Sequence, residues 1–199
     1  MTRLLMIRHA ATPWNRSKRI QGLSDISIDE DARREVAGWQ IPNDFDDAVW
    51  VSSPLERAME TARLLGAEPV REQRLIEMSW GEWEGDTLEN LRHTLGDGMV
   101  KNEDRGLDFH PPGGESPREV QDRLRPWLRA VASSSVDTIA VTHKGVIRAV
   151  LALATGWDMT GKAPDRIVNG AGHRFLLDGK GVPSVVRLNV PLATKTGGA

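Results

Sequence analysis

The sequence contains no cysteine and no tyrosine, and its formal net charge of -2 leaves no surplus of positive charge. Without cysteine there can be no disulfide, no thiolate metal site and no cysteine nucleophile. Without a basic surplus, neither nucleic acid nor an anionic membrane is suggested as a main partner. No apolar run approaches the roughly 20 residues of a membrane span. Met1 to Ile7 has the look of a signal peptide start, but its apolar part is too short and Arg8-His9 interrupts it. The cytoplasm is therefore the expected location, by elimination. No internal repeat, carboxylate cluster or His-x-x-x-His spacing is present, so no metal and no cofactor is expected.

What is present is ordinary for a soluble globular protein. The 199 residues are 39% hydrophobic and 27% charged, which fits one domain with a substantial core. That domain is assigned to residues 1–193, with 194–199 expected as a frayed tail. Oligomeric state stays open, with a homodimer among the options. Seven tryptophans accompany the missing tyrosine, and no function follows from that.

The run Leu4-Leu5-Met6-Ile7 stops abruptly at Arg8-His9. A short continuous apolar run indicates a strand buried on both faces, as in a parallel sheet. Ala48-Val49-Trp50-Val51-Ser52 and Thr138-Ile139-Ala140-Val141-Thr142 read the same way. Between them lie helix signatures. Residues 29–35 read as helical first turns, and Ser53-Pro54-Leu55-Glu56 and Ser116-Pro117-Arg118-Glu119 each read as a cap, a first-turn proline and a capping box. Asp86 is expected to cap a helix reaching Leu95, residues 96–106 to form a polar surface excursion, and Pro126 to kink the helix it sits in. A further helix is expected from Val146 to about Ala154, followed by two strands joined through Gly179-Lys180-Gly181. Strands alternating with helices indicate an α/β fold, a three-layer sandwich with a mainly parallel central sheet.

In such folds ligands bind past the carboxyl ends of the strands. Arg8-His9, Ser52-Ser53 with Arg57 in the following first turn, and His143 all fall there. A single arginine or histidine in such a place is commonly solvated or structural; two of each at one sheet edge are harder to dismiss. Arginine binds phosphate in bidentate fashion. A histidine among arginines is ill suited to hold a metal cation. It can attack phosphorus if one ring nitrogen is unprotonated and the other N–H is held by a backbone carbonyl. His93 and His110 fit a surface or packing role. The basic run Arg16-Ser17-Lys18-Arg19 fits a solvated loop and the rim of an anion site equally well.

At these residues the chain resembles the histidine phosphatase superfamily, the phosphoglycerate mutase-like fold. The resemblance rests on Arg8-His9-Ala10-Ala11-Thr12-Pro13-Trp14-Asn15 and Gln21-Gly22-Leu23-Ser24-Asp25, then on Ser52-Ser53-Pro54-Leu55-Glu56-Arg57-Ala58. The stretch around Glu77, and Gly113-Gly114-Glu115-Ser116 followed by Thr142-His143-Lys144-Gly145, complete it in order. The resemblance implies that His9 is a nucleophile carrying a phosphohistidine. It implies that His143, Arg8 and Arg57 surround the phosphoryl group, with Asn15, Gln21 and Gly22 also binding it. It makes Glu77 the acid that protonates the leaving oxygen and then activates water. That task needs a carboxyl held protonated near neutral pH, to which Trp80 and Trp83 would contribute by desolvation. Glu82 and Glu84 read as surface glutamates.

Three positions depart from the family pattern. Ala10 stands where glycine is usual, so its methyl is expected to crowd the phosphate or strain the turn if the backbone needs a glycine conformation. Lys144 replaces a residue that is often small and adds a cation at the pocket mouth. The segment 28–45 is short and acidic, which suggests a trimmed helix. The reading that follows is a phosphomonoesterase acting on a small phosphorylated metabolite. A phosphoglycerate mutase is the alternative within the class, and a catalytically impaired phosphate-binding module, argued from Ala10 alone, the alternative outside it.

Overall fold

The computed structural model describes residues 1–192; the expected tail 194–199 lies outside the described residues. The chain is organised around β1 (Thr2–Arg8). Successive strand side chains point to opposite faces, so Leu4 and Met6 enter one apolar cluster and Leu5 and Ile7 the other. β1 pairs in parallel with β4 (Thr138–Thr142) and antiparallel with β5 (Ala171–Leu177). With β2 (Val49–Ser52), β3 (Val70–Arg71) and β6 (Pro183–Pro191), the six-stranded sheet has the order β3-β2-β4-β1-β5-β6. The four strands from β3 to β1 run parallel, and β5 and β6 form the antiparallel edge.

One face of the sheet is covered by α2 (Glu30–Val36) and α3 (Glu56–Leu64), through Ala32, Val36, Ala58 and Ala62. The other is covered by α6 (Pro117–Ser134) and α7 (Lys144–Thr155), through Val120, Leu124, Trp127, Ile147 and Val150. These are the three layers expected. The short α1 (Pro13–Arg16), α4 (Leu88–Leu95) and α5 (Asp97–Glu103) decorate the carboxyl-end loops and the segment before α6. No helix among the described residues is long and apolar enough to cross a membrane.

The capping box at Ser116 forms as expected: Ser116 Oγ accepts from Glu119 N, and Glu119 Oε2 accepts from Ser116 N at 2.7 Å. Such a cap is worth about 1 kcal/mol. Pro126 lies inside α6. Four local expectations are corrected. Ser53 does not cap α3, whose N-cap is Leu55 with no side-chain cap of its own. The carboxylate of Asp25, from another loop, instead accepts from Glu56 N at 2.9 and 3.0 Å. The cap of α4 is Thr87 rather than Asp86. The stretch 96–106 is not a bare excursion, because α5 forms within it and buries Met99 in the core. β2 is only partly buried along Val49, Trp50 and Val51, because its outer neighbour β3 is two residues long and covers little of it.

Candidate active site

His9, at the end of β1, donates its backbone N–H to Thr142 O at 2.8 Å. That bond continues the β1–β4 ladder by one step and sets the imidazole above the sheet edge. Its Nδ1 lies 2.7 Å from the carbonyl of Ala10. A carbonyl only accepts, so Nδ1 carries the hydrogen and Nε2 is left with a lone pair. Burial, then Arg8 and Arg57, hold the His9 pKa well below the ordinary histidine value. The ring is therefore neutral at pH 7, with Nε2 unprotonated.

His143 follows β4 directly, and its ring centroid lies 5.1 Å from that of His9. Its Nε2 is 2.7 Å from Ser53 Oγ. Ser53 Oγ also accepts from Leu55 N at 3.3 Å, and its own hydrogen can point at Nε2, the arrangement that puts the ring proton on Nδ1. Nδ1 is buried and has no protein partner. Burial and the field of Arg57 hold this pKa well below the ordinary value too.

Arg57 is not the solvated first-turn arginine that its sequence position allows. It is fully buried, with Nη1 donating to Ser24 O and Nη2 to Gly22 O, each at 2.7 Å. Nε has no protein partner. Arg8 Nη1 donates to Asn169 Oδ1, and Arg8 Nε is also buried and unpartnered. Burial lowers the pKa of both guanidiniums, which stay charged.

Gly22 adopts φ +52°, and a Cβ there would lie 2.0 Å from Glu84 Oε1. The glycine lets the 22–24 loop wrap Glu84, whose carboxylate accepts from Leu23 N, Ser24 N and Ser24 Oγ at 2.7–2.9 Å and from Trp80 N at 3.2 Å. Glu84 is therefore a structural clasp rather than a surface glutamate. Gln21 is buried, with Oε1 accepting from Thr12 Oγ1 at 3.0 Å. Asn15 Oδ1 accepts from the N–H of Thr12 in the cap of α1, so the amide Nδ2 is the end left for a ligand.

Glu77 reaches the site from the loop after a one-turn helix. Its Oε1 accepts from Met78 N at 2.9 Å and Oε2 from Gly145 N at 3.3 Å. A Cβ at residue 145 would lie 2.5 Å from Oε1, so glycine there is what allows the carboxyl against the start of α7. Burial raises the Glu77 pKa against the opposing pull of these N–H groups and of Arg57 and Arg8. Arg123 fixes the segment from behind, donating to Ile76 O at 2.8 Å and pairing with Glu115 at 2.7 Å. Trp80 and Trp83 form an aromatic cluster with Phe109, with centroids 5.4–6.5 Å apart.

Ala10 settles differently from the sequence expectation. It is not among the residues of positive φ, its N–H donates to Thr61 Oγ1 at 3.0 Å, and it packs in the α2–α3 side of the core. The position demands no glycine conformation. The sequence places Ser53 at the sheet edge but signals a helix cap there rather than a partner for His143, and it carries no local signal for Asn169 or Arg123. Among the described residues no group of three His, Asp or Glu side chains is arranged to hold a metal.

Comparison with known proteins adds an independent line. The sequence model of the histidine phosphatase superfamily, branch 1, matches residues 4–191. The chain is 28% identical to phosphoserine phosphatase 1 of Hydrogenobacter thermophilus, over 80% of this chain and 79% of the relative. It is also 28% identical to a 2,3-bisphosphoglycerate-dependent phosphoglycerate mutase of Methylorubrum extorquens, over 78% of this chain and 81% of the relative. The solved mycobacterial glucosyl-3-phosphoglycerate phosphatase in complex with VO3 superposes with a TM-score of 0.78 at 27% identity, over 98% of this chain and all of the other.

Proposed function

The chain belongs to the histidine phosphatase superfamily, and from that premise we propose that it hydrolyses the phosphomonoester of a small metabolite through a phosphohistidine on His9. It is a phosphoric monoester hydrolase. One observation supports the site assignment above the others. Arg8 Nε, Arg57 Nε and His143 Nδ1 are buried without protein partners, and their residues surround the His9 imidazole, whose Nδ1 is held by the Ala10 carbonyl. Buried donors are rarely left unpaired, and three phosphoryl oxygens would satisfy them.

In this reading His9 Nε2 attacks phosphorus while the ester P–O bond breaks. The departing oxygen takes the proton of Glu77, whose raised pKa suits it to hold one. Water then attacks the phosphohistidine, Glu77 takes back a proton, and the N–P bond breaks to release inorganic phosphate. Arg8, Arg57, His143 and the Asn15 amide stabilise the charge on the equatorial oxygens. Gln21 acts through Thr12, and Gly22 through its carbonyl on Arg57.

The impaired-module alternative rested on Ala10; its backbone carries no glycine-type strain, and whether its methyl crowds the phosphate is read by the trapping experiment that follows. The mutase alternative draws on the similarity to a phosphoglycerate mutase. Acid-quenched incubation with labelled phosphomonoester is expected to trap phosphate on the wild-type chain and none on His9→Ala. A folded His9→Ala protein with undiminished turnover removes His9 from the reaction. Isomerisation of 3-phosphoglycerate that depends on a bisphosphate primer and outruns phosphate release would favour the mutase.

A further inference from the structure

The phosphoryl pocket does not use all the positive charge gathered at this sheet edge. β1 lies between β4 and β5, so Arg8 has the start of α7 on one side and the loop 162–170 on the other. Lys144 is the first residue of α7 and Arg148 lies one turn further along the same face. Arg166 sits in the loop that also supplies Asn169 to Arg8. Asn189 pins that loop, donating to Arg166 O at 2.9 Å and accepting from Val168 N at 2.9 Å.

The charges at Lys144, Arg148 and Arg166 are uncompensated. Many arginines of the chain are tied to carboxylates, as Arg16 is to Asp29 and Arg118 to Asp108, and those that are not, such as Arg71 and Arg129, are not gathered beside Arg8. Among the described residues none of these three is in an ion pair, Arg166 beside Asp165 included. The Arg148 guanidinium is held 5.1 Å over the ring of Trp157, and its Nε is buried without a protein partner. Burial, and after it the nearby charges of Arg8, Arg148 and Arg166, lower the Lys144 pKa, with Glu77 pulling the other way. Arg8 and Arg57 already match a phosphoryl dianion. Three further cations then lie beside the phosphoryl pocket without an ion-pair partner among the described residues.

We propose that Lys144, Arg148 and Arg166 form a second anion subsite beside the phosphoryl pocket, and that the substrate carries a second anionic group, a carboxylate or a second phosphate, on its alcohol moiety. This rests on the phosphatase reading for the identity of the first group. On that reading Lys144 is a specificity residue.

Calorimetric binding to the non-turning-over His9→Ala protein tests it with three probes sharing a three-carbon skeleton. These are sn-glycerol 3-phosphate, 3-phosphoglycerate and glycerol 1,3-bisphosphate. One of the two doubly anionic probes is expected to bind at least about tenfold tighter than glycerol phosphate, as one charge-assisted hydrogen bond would give. Which one does so names the second group. Adding Lys144→Gln and Arg166→Gln, both exposed positions, is expected to bring the ratio to within about twofold, on the same scale. Similar or undetectable binding of all three probes, or a preference that survives both substitutions, overturns the subsite. Tight binding of an anionic probe with no phosphate release from it or any aryl phosphate by the wild-type protein sinks the phosphatase reading while the subsite stands.

Discussion

Ser53 Oγ and His143 Nε2 lie 2.7 Å apart, although 90 residues separate them in the chain. A hydroxyl that donates to Nε2 puts the ring hydrogen on Nδ1, where it can reach a phosphoryl oxygen. Ser53→Ala is expected to lower kcat/KM about tenfold, the worth of one oriented hydrogen bond. The urea midpoint should move little. An unchanged kcat/KM, or a loss matched by unfolding, would show that Ser53 does not orient the ring.

Glu77→Gln should divide substrates by leaving group. A nitrophenolate departs without a proton, so phosphorylation of His9 from an aryl phosphate is expected to survive within about tenfold, whereas alkyl phosphates lose the usual general-acid contribution of about 10²–10⁴-fold. Water attack also loses its base, so the aryl ester should give a burst of nitrophenol followed by a slow phase. Equal losses for both ester types would argue against Glu77 as the proton donor.

The pH profile follows from the direction of two shifts. His9 works unprotonated and its pKa is held well below 6.5 by burial and by Arg8 and Arg57. Activity should therefore hold as pH falls from 7 through 6.5 and decline only in more acid solution. Glu77 works protonated, and burial raises its pKa above 4.5, so the alkaline limb is lost as pH rises through that raised value. A profile of kcat/KM against pH whose acid limb is centred at or above 6.5 would contradict the His9 assignment.

His173 lies outside the site, fully buried on β5, accepting from Asn189 N at 3.3 Å with its Nε2 unpartnered. Burial pushes its pKa from 6.5 down to about 4. The unfolded chain then binds a proton that the folded chain refuses between those values. The associated stability is complete above 6.5 and is lost as pH falls toward 4, about 3 kcal/mol in all. Urea unfolding of His173→Gln at pH 7.5 and 4.5 should show a pH dependence smaller by roughly that amount.

The clasp at Glu84 is open to a direct test of stability. Its carboxylate accepts from Leu23 N, Ser24 N, Ser24 Oγ and Trp80 N. Glu84→Ala is expected to cost about 2–4 kcal/mol, since it strips partners from several half-buried donors at once. It should also weaken phosphate binding, because the Gly22 and Ser24 carbonyls hold Arg57. A stability change under about 0.5 kcal/mol, the range of ordinary surface substitutions, would return Glu84 to the surface role its sequence context suggests.

The central strands, the capping box at Ser116 and the charged residues at strand ends were legible because each leaves a local signature. Leu4-Leu5-Met6-Ile7 announces a two-sided strand, and Ser116-Pro117-Arg118-Glu119 a helix start. The same logic misassigned Ser53, because its hydroxyl is claimed by His143 across the sheet and Asp25 caps α3 in its place. Long-range claims of this kind leave no trace in the nearby sequence. Asn169 and Arg148 escaped for that reason, and Met99 because its burial depends on α5 folding back onto the core. Ala10 was doubted on residue type, while its backbone turned out to be one that any residue adopts.

The position of β1 between β4 and β5 has a consequence for how the protein is made. Both neighbours of the first strand lie at residue 138 or beyond. At about 5–20 residues per second, the apolar ribbon 4–7 waits on the order of ten seconds on the ribosome before either partner strand exists. During that time it has no native pairing to hide it. The geometry that buries the nucleophile in the finished molecule thus leaves this ribbon without its native partners during synthesis, and lengthening the stretch between β1 and β4 would prolong that exposure.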